Sequence, residues 1–116
     1  MTGAMKRVLP LAAVSEAAMG VALLVVPSVV GRLLLGEPLT GIATPVARVA
    51  GIALIGLGVA CWPGPPVAGM LTYTAAVALY LAHLSFAHGL AGTLLWPAVA
   101  LHVIVTVLLI RASRRA

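Results

Sequence analysis

The stretch VAGIALIGLGVACWPGPPVAGMLTYTAAVALYLAHLSFAHGLAGTLLWPAVALHVIVTVLLI, from Val49 to Ile110, runs for 62 residues without one Asp, Glu, Lys or Arg. A spanning helix needs about 20 predominantly apolar residues to cross a hydrocarbon core, so the stretch holds three spans. Proline and glycine divide it. Pro63-Gly64-Pro65-Pro66 cannot continue a helix, and His88-Gly89-Leu90-Ala91-Gly92 reads as a tight hairpin. Pro45 falls in the first turn of the earliest of these spans, where a missing N–H costs nothing. The predicted spans are therefore 45–62, 67–87 and 93–110.

Working toward the N-terminus, the apolar segment Val8 to Val26 supplies a fourth span, closed by Pro27. Lys6-Arg7 ahead of an apolar stretch imitates a cleavable leader. Glu16 interrupts that stretch and no small-x-small cleavage site follows, so the segment is read as a span. Between the first two spans, the connector 28–44 carries Gly31, Gly36, Pro38 and Gly41 around a short apolar stretch, Val29-Val30 and Leu33-Leu34-Leu35, beside Arg32 and Glu37. This is too short to cross and reads as an amphipathic turn or two at the surface, with Arg32 and Glu37 toward the headgroups. The expected fold is an all-α, single-domain integral membrane four-helix bundle, up-down-up-down, with this interfacial segment between spans one and two. The short loops make successive spans antiparallel neighbours and allow them to close into a ring.

Composition agrees. Residues are 63% hydrophobic and 8% charged, with a mean hydropathy of +1.21, against about 25% charged in soluble domains. At 116 residues, four spans leave no room for a soluble catalytic domain. The net charge of +5 does not point to nucleic acid, because five of the seven basic residues flank the outermost spans: Lys6, Arg7, Arg111, Arg114 and Arg115. Under the positive-inside rule these put both termini in the cytoplasm, with Arg32 in the outer connector. Trp62 and Trp96 fall near expected interfaces.

Apolar residues do not tell which face of a spanning helix is buried, so small and polar residues must serve. At 100° per residue one stripe emerges per span: Ala12, Glu16 and Gly20; Arg48, Gly51, Ile55 and Gly58; Gly69, Tyr73, Ala76, Tyr80 and His83; and Ala98, His102 and Thr106. Ionisable residues in these stripes are functional candidates by default. From the 1.5 Å rise, Glu16 lies about 12 Å from one edge of its span and His102 about 14 Å from the other, both near the midplane. Arg48 and His83 form a shallower layer at roughly 6 Å.

Three chemistries fit this set. Glu16 could be held by His102 or Arg48 purely to fix helix register. Glu16 and His102, across adjacent first and fourth spans, could pass a proton, with Arg48, Tyr80 and His83 completing a ligand site. His83 and His102 could ligate a haem, although their depths differ by roughly 8 to 10 Å. No Walker loop, GxGxxG, HExxH, CxxC or GxSxG occurs, no catalytic residue and no protein metal site are indicated, and an enzyme is not expected. Cys61 is a lone thiol and reads as a packing residue.

The layout of PSVVGRLLLGEPLTGIATPVARVAGIALIGLGVACW followed by LLWPAVALHVIVTVLLIRA resembles the small four-span bacterial membrane proteins of the DoxX-like type. That resemblance implies a bacterial inner-membrane protein connected with quinone or thiol redox systems, and carries over no catalytic residue. A second resemblance, in length, span count and a first-span glutamate, is to small multidrug resistance transporters, whose essential acid would correspond to Glu16. The third-span aromatics and the decisive charge bias depart from that pattern. The expected function is accordingly a non-enzymatic accessory subunit of a larger membrane complex, or a binder of a hydrophobic small molecule such as quinone. The alternative is a proton-coupled exporter using Glu16. Expected partners are the bilayer and other membrane subunits or further copies of the chain, and quinone or haem is the cofactor to consider.

The orientation is directly testable. In a Cys61→Ser background, Ala116→Cys should resist an impermeant thiol reagent in intact cells and react once the membrane is opened. Labelling of intact cells would reverse the topology.

Overall fold

A computed structural model describes residues 3–115. The chain is all-α across these residues, with α1 over Gly3–Val25, α2 over Pro27–Leu35, α3 over Ala43–Cys61, α4 over Pro66–His88 and α5 over Leu95–Arg115. Four of these helices, α1, α3, α4 and α5, are long and apolar enough to cross a membrane. The protein is a multi-pass membrane protein whose solvent is the lipid bilayer. The outer helices run past the apolar segments, α1 through Lys6-Arg7 and α5 to Arg115. Helical hydrogen bonding does not end where apolarity does.

Breaks fall where backbone chemistry demands them. Pro27 has no N–H to give the Leu23 carbonyl, so the chain turns there and Pro27 becomes the first residue of α2. Gly36, at φ 86°, closes α2 by donating its N–H to the Arg32 carbonyl, a left-handed cap open to glycine. The nine-residue α2 buries Pro27 and Gly31 and leaves Leu33, Leu34 and Leu35 exposed. It packs on both α1 and α3 and is a helix of nine residues where the pattern reads as an amphipathic turn or two.

The spanning helices meet through glycine. A methyl group on Gly20 would come 2.5 Å from the Gly51 carbonyl oxygen, and one on Gly51 would come 2.6 Å from that of Gly20. Gly58 lies equally close to the Ala13 carbonyl, 2.7 Å from such a methyl, with Ala17 beside it. This pairs α1 with α3 in antiparallel sense. On another side of α3, Gly56 meets Gly69 and Tyr73 of α4, while Gly69 meets Gly56 and Ala60. Between lipid-facing helices there is no hydrophobic drive, so close backbone approach through small residues supplies the association. The third seam, α4 with α5, is built differently: Thr106 bonds Thr74, Tyr73 meets His102, and Phe86 meets Trp96.

These three seams join the helices in the order α1, α3, α4, α5, antiparallel throughout. The expected ring does not close. Among the described residues α1 and α5 share no contact, and the molecule is a plate of 47 × 41 × 17 Å. Four helices packed at about 8–10 Å in a ring would be as thick as they are wide. The bundle is therefore an open row one helix deep. One end carries the start of α1, the end of α5 and the turn after α3. The other, the loop end, carries α2, the linker 36–42 and the loop 89–94.

Glycine at the first seam makes a graded prediction. Gly51→Leu drives a side chain into the backbone of α1 and should cost about 1–3 kcal/mol or more, read as an earlier denaturation midpoint by circular dichroism. Gly92→Ala, whose added methyl meets nothing within 4 Å, should leave the midpoint unchanged.

Candidate functional site

The residues singled out from the sequence divide into three places. Glu16 stands alone. On α1 the buried positions are Ala13 and Gly20, so the face against α3 is Ala13, Ala17 and Gly20, not Ala12, Glu16 and Gly20. Glu16 is about 70° around the helix from that seam and exposed. The expected pairing of Glu16 with His102 is not formed, because α1 and α5 lie at opposite edges of the row. Nor does Arg48 reach Glu16: it hydrogen-bonds α1 elsewhere.

His102 belongs to the α4–α5 seam. Its Nδ1–H lies 2.7 Å from the Ala98 carbonyl one turn back, and its ring meets Tyr73 edge-on at 5.7 Å between centroids. Thr106 Oγ1 shares its one proton between the His102 carbonyl at 2.7 Å and Thr74 Oγ1 at 2.9 Å. Thr74 is only 3% exposed. It is not among the sequence candidates, although Thr74 and Thr106 are, among the described residues, the only hydroxyl pair bridging two spans. Thr74 Oγ1 in turn donates to the Leu71 carbonyl at 3.4 Å, so the two hydroxyls form an interhelical lock whose bonds are internal to α4 and α5.

Arg48, Tyr80 and His83 do gather, at the loop end. Arg48 Nε donates to the Leu24 carbonyl across the first seam, at 3.2 Å. That carbonyl belongs to the last turn of α1, left without a helical donor by the break at Pro27, and a cation there also meets the negative end of the helix dipole. Arg48 further lines a groove of about 480 Å³ between the start of α3 and the end of α4, together with Tyr80, Leu84 and His88 of α4 and Ile42 and Leu90 from the flanking segments. The Tyr80 hydroxyl is buried and has no hydrogen-bond partner. His83 stacks behind Tyr80 at 6.3 Å and 27°, and His88 meets His83 edge-on at 5.5 Å. Leu84 is buried beneath them.

His88 reads from the sequence as a hairpin residue, yet it is the last residue of α4. Gly89, at φ 66°, caps the helix with its N–H to the Ser85 carbonyl at 3.1 Å. With the helix extended that far, Tyr80, Leu84 and His88 recur every fourth residue along one stripe, which is the signal that identifies His88.

His83 and His102 belong to separate clusters, their aromatic partners Tyr80 and Tyr73 being seven residues and roughly 10 Å apart along α4. The described residues contain no group of three or more His, Cys, Asp or Glu able to hold a metal ion. Cys61 is exposed at the end of α3. Comparison with protein-family models, curated proteins and solved structures finds no match for this chain.

The hydroxyl bridge sets a measurable coupling. A double-mutant cycle of Thr74→Val and Thr106→Val should return an interaction of about 0.6 kcal/mol, up to about 1.7, in unfolding measurements. Strict additivity would mean that the two hydroxyls do not bond.

Proposed function

We propose that this chain is a non-enzymatic accessory subunit of a larger assembly in a bacterial inner membrane, with both termini in the cytoplasm. The observation that carries the reading is Glu16: an acid eight residues into the apolar segment, exposed and without a partner among the described residues. An acid at that depth facing hydrocarbon costs several kcal/mol, and a neighbouring helix offering a donor removes the cost. The open row supports the same reading. Its edge helices are the least buried, with 11% of the apolar window of α1 and 6% of that of α5 buried inside the chain. The covering helix comes from another subunit or from a second copy of this chain. The five basic residues at the helix ends support the orientation, and the layout resembling DoxX-like proteins supports the bacterial inner membrane.

A second reading, binding of a hydrophobic small molecule, is favoured by the groove at Arg48 and Tyr80, where an unpartnered hydroxyl and a guanidinium stand above apolar walls. A volume of about 480 Å³ is in the range of small-molecule sites, which span about 300–1,000 Å³. Quinone, with carbonyl acceptors and an apolar tail, belongs to this class. The proton-coupled exporter using Glu16 is less well supported, since the acid faces away from the three seams rather than into a shared pathway.

Purification from native membranes in mild detergent should yield the chain in a larger assembly, and Glu16→Leu should release it while Glu16→Gln, which keeps a hydrogen-bonding group, retains it. Both variants should fold as well as the parent. A monomer in native membranes, or Glu16-dependent resistance to cationic drugs, would overturn the subunit reading.

A further inference from the structure

We infer that the groove at the loop end binds an amphiphile with an anionic oxyanion head, a carboxylate or phosphate, whose tail lies along Leu84, Ile42 and Leu90. The inference deepens the small-molecule reading of that same groove by naming the charge of its ligand. Three observations carry it. Arg48 brings a permanent positive charge into an apolar wall, and among the described residues no carboxylate pairs with it. The groove lining contains no Asp or Glu. Tyr80 lines the groove, and its hydroxyl, buried beside that wall, has neither its proton nor its oxygen engaged.

Guanidinium geometry leaves the site half used. Of the five N–H donors of arginine, the structure spends one, Nε, on the Leu24 carbonyl. The planar fork that remains is suited to bidentate contact with a carboxylate or phosphate. Holding Nε on α1 also fixes the direction of the fork, so the side chain is pre-organised rather than free to snorkel. A neutral carbonyl head such as that of a quinone can accept from Tyr80 but leaves the charge of Arg48 uncompensated in a low-dielectric wall, which is the costly state. An anionic head satisfies both groups. Thr44 adds no competing donor, its hydroxyl being turned to the Leu39 carbonyl at 3.5 Å. His88 at the rim supplies a further ring nitrogen.

The test is direct binding to the full chain in neutral detergent micelles, with four amphiphilic probes of similar tail length, laurate, lauryl phosphate, decylubiquinone and dodecyltrimethylammonium, and with inorganic phosphate as the head without a tail. Laurate or lauryl phosphate should bind at least tenfold more tightly than decylubiquinone, with no binding of the cation or of inorganic phosphate. Arg48→Gln should weaken the anionic probe about tenfold and Tyr80→Phe about threefold, with Arg48→Lys, which keeps the charge and loses the fork, falling between the parent and Arg48→Gln. Because Arg48 also holds α1, Tyr80→Phe and the laurate-to-quinone comparison in the unaltered protein decide the matter if Arg48→Gln does not fold. Decylubiquinone binding as tightly as laurate would overturn the inference and leave the small-molecule reading standing. Inorganic phosphate competing with lauryl phosphate would overturn the amphiphile, and binding of no probe would overturn both.

Discussion

The close approach of backbones across α3 governs the rest of the molecule. Lipid tails are as apolar as leucine side chains, so helices in a bilayer gain little by hiding apolar surface from one another and associate where their main chains can touch. Only α3 offers that on two sides. Gly51 and Gly58, seven residues apart, lie against α1, and Gly56 with Ala60, four apart, lies against α4. A helix with glycine on two faces becomes the middle of a row. A helix with a single contact face, glycine on α1 or the polar lock on α5, becomes an edge, while α4, with Gly69 on one face and Thr74 on the other, is also interior. The hydroxyl pair Thr74–Thr106 then extends the row by one helix at α5, and no residue pattern on α1 or α5 brings those edges together.

Both functional features follow from that layout. Because α1 is an edge, Glu16 has no partner among the described residues, and the proposed subunit role rests on that. Because α1 packs antiparallel on α3, its C-terminal turn lies beside the first turns of α3. There Arg48 bonds the Leu24 carbonyl and also lines the groove. The same arginine thus fastens the first seam and charges the groove beside it.

Much of this was legible in the sequence. Helix number, order and approximate ends follow from the uncharged run and its prolines, and the stripe Arg48, Gly51, Ile55, Gly58 is the face that meets α1. The α1 face was misplaced because Ala12, Ala13, Ala17 and Ala18 make two neighbouring stripes equally small, both sharing Gly20, and lipid provides no apolar contrast to choose between them. The ring was expected because one interior face was assigned to each span. A row needs two faces on its middle helices, and Gly56 on the second face of α3 was the sign of it. Pairing Glu16 with His102 followed from matched depth alone; depth fixes where a residue lies along the membrane normal and says nothing about lateral neighbours.

Cysteine cross-linking in a Cys61→Ser background measures the lateral order most directly. The pair Thr74→Cys with Thr106→Cys replaces hydroxyls 2.9 Å apart and should form an intramolecular disulfide under mild oxidation. Pairs placed on α1 and α5 at matching depth should form none within one chain at low protein-to-detergent ratio. Efficient intramolecular cross-linking of α1 to α5 would mean that the ring closes, and would remove the open edge on which the account of Glu16 depends.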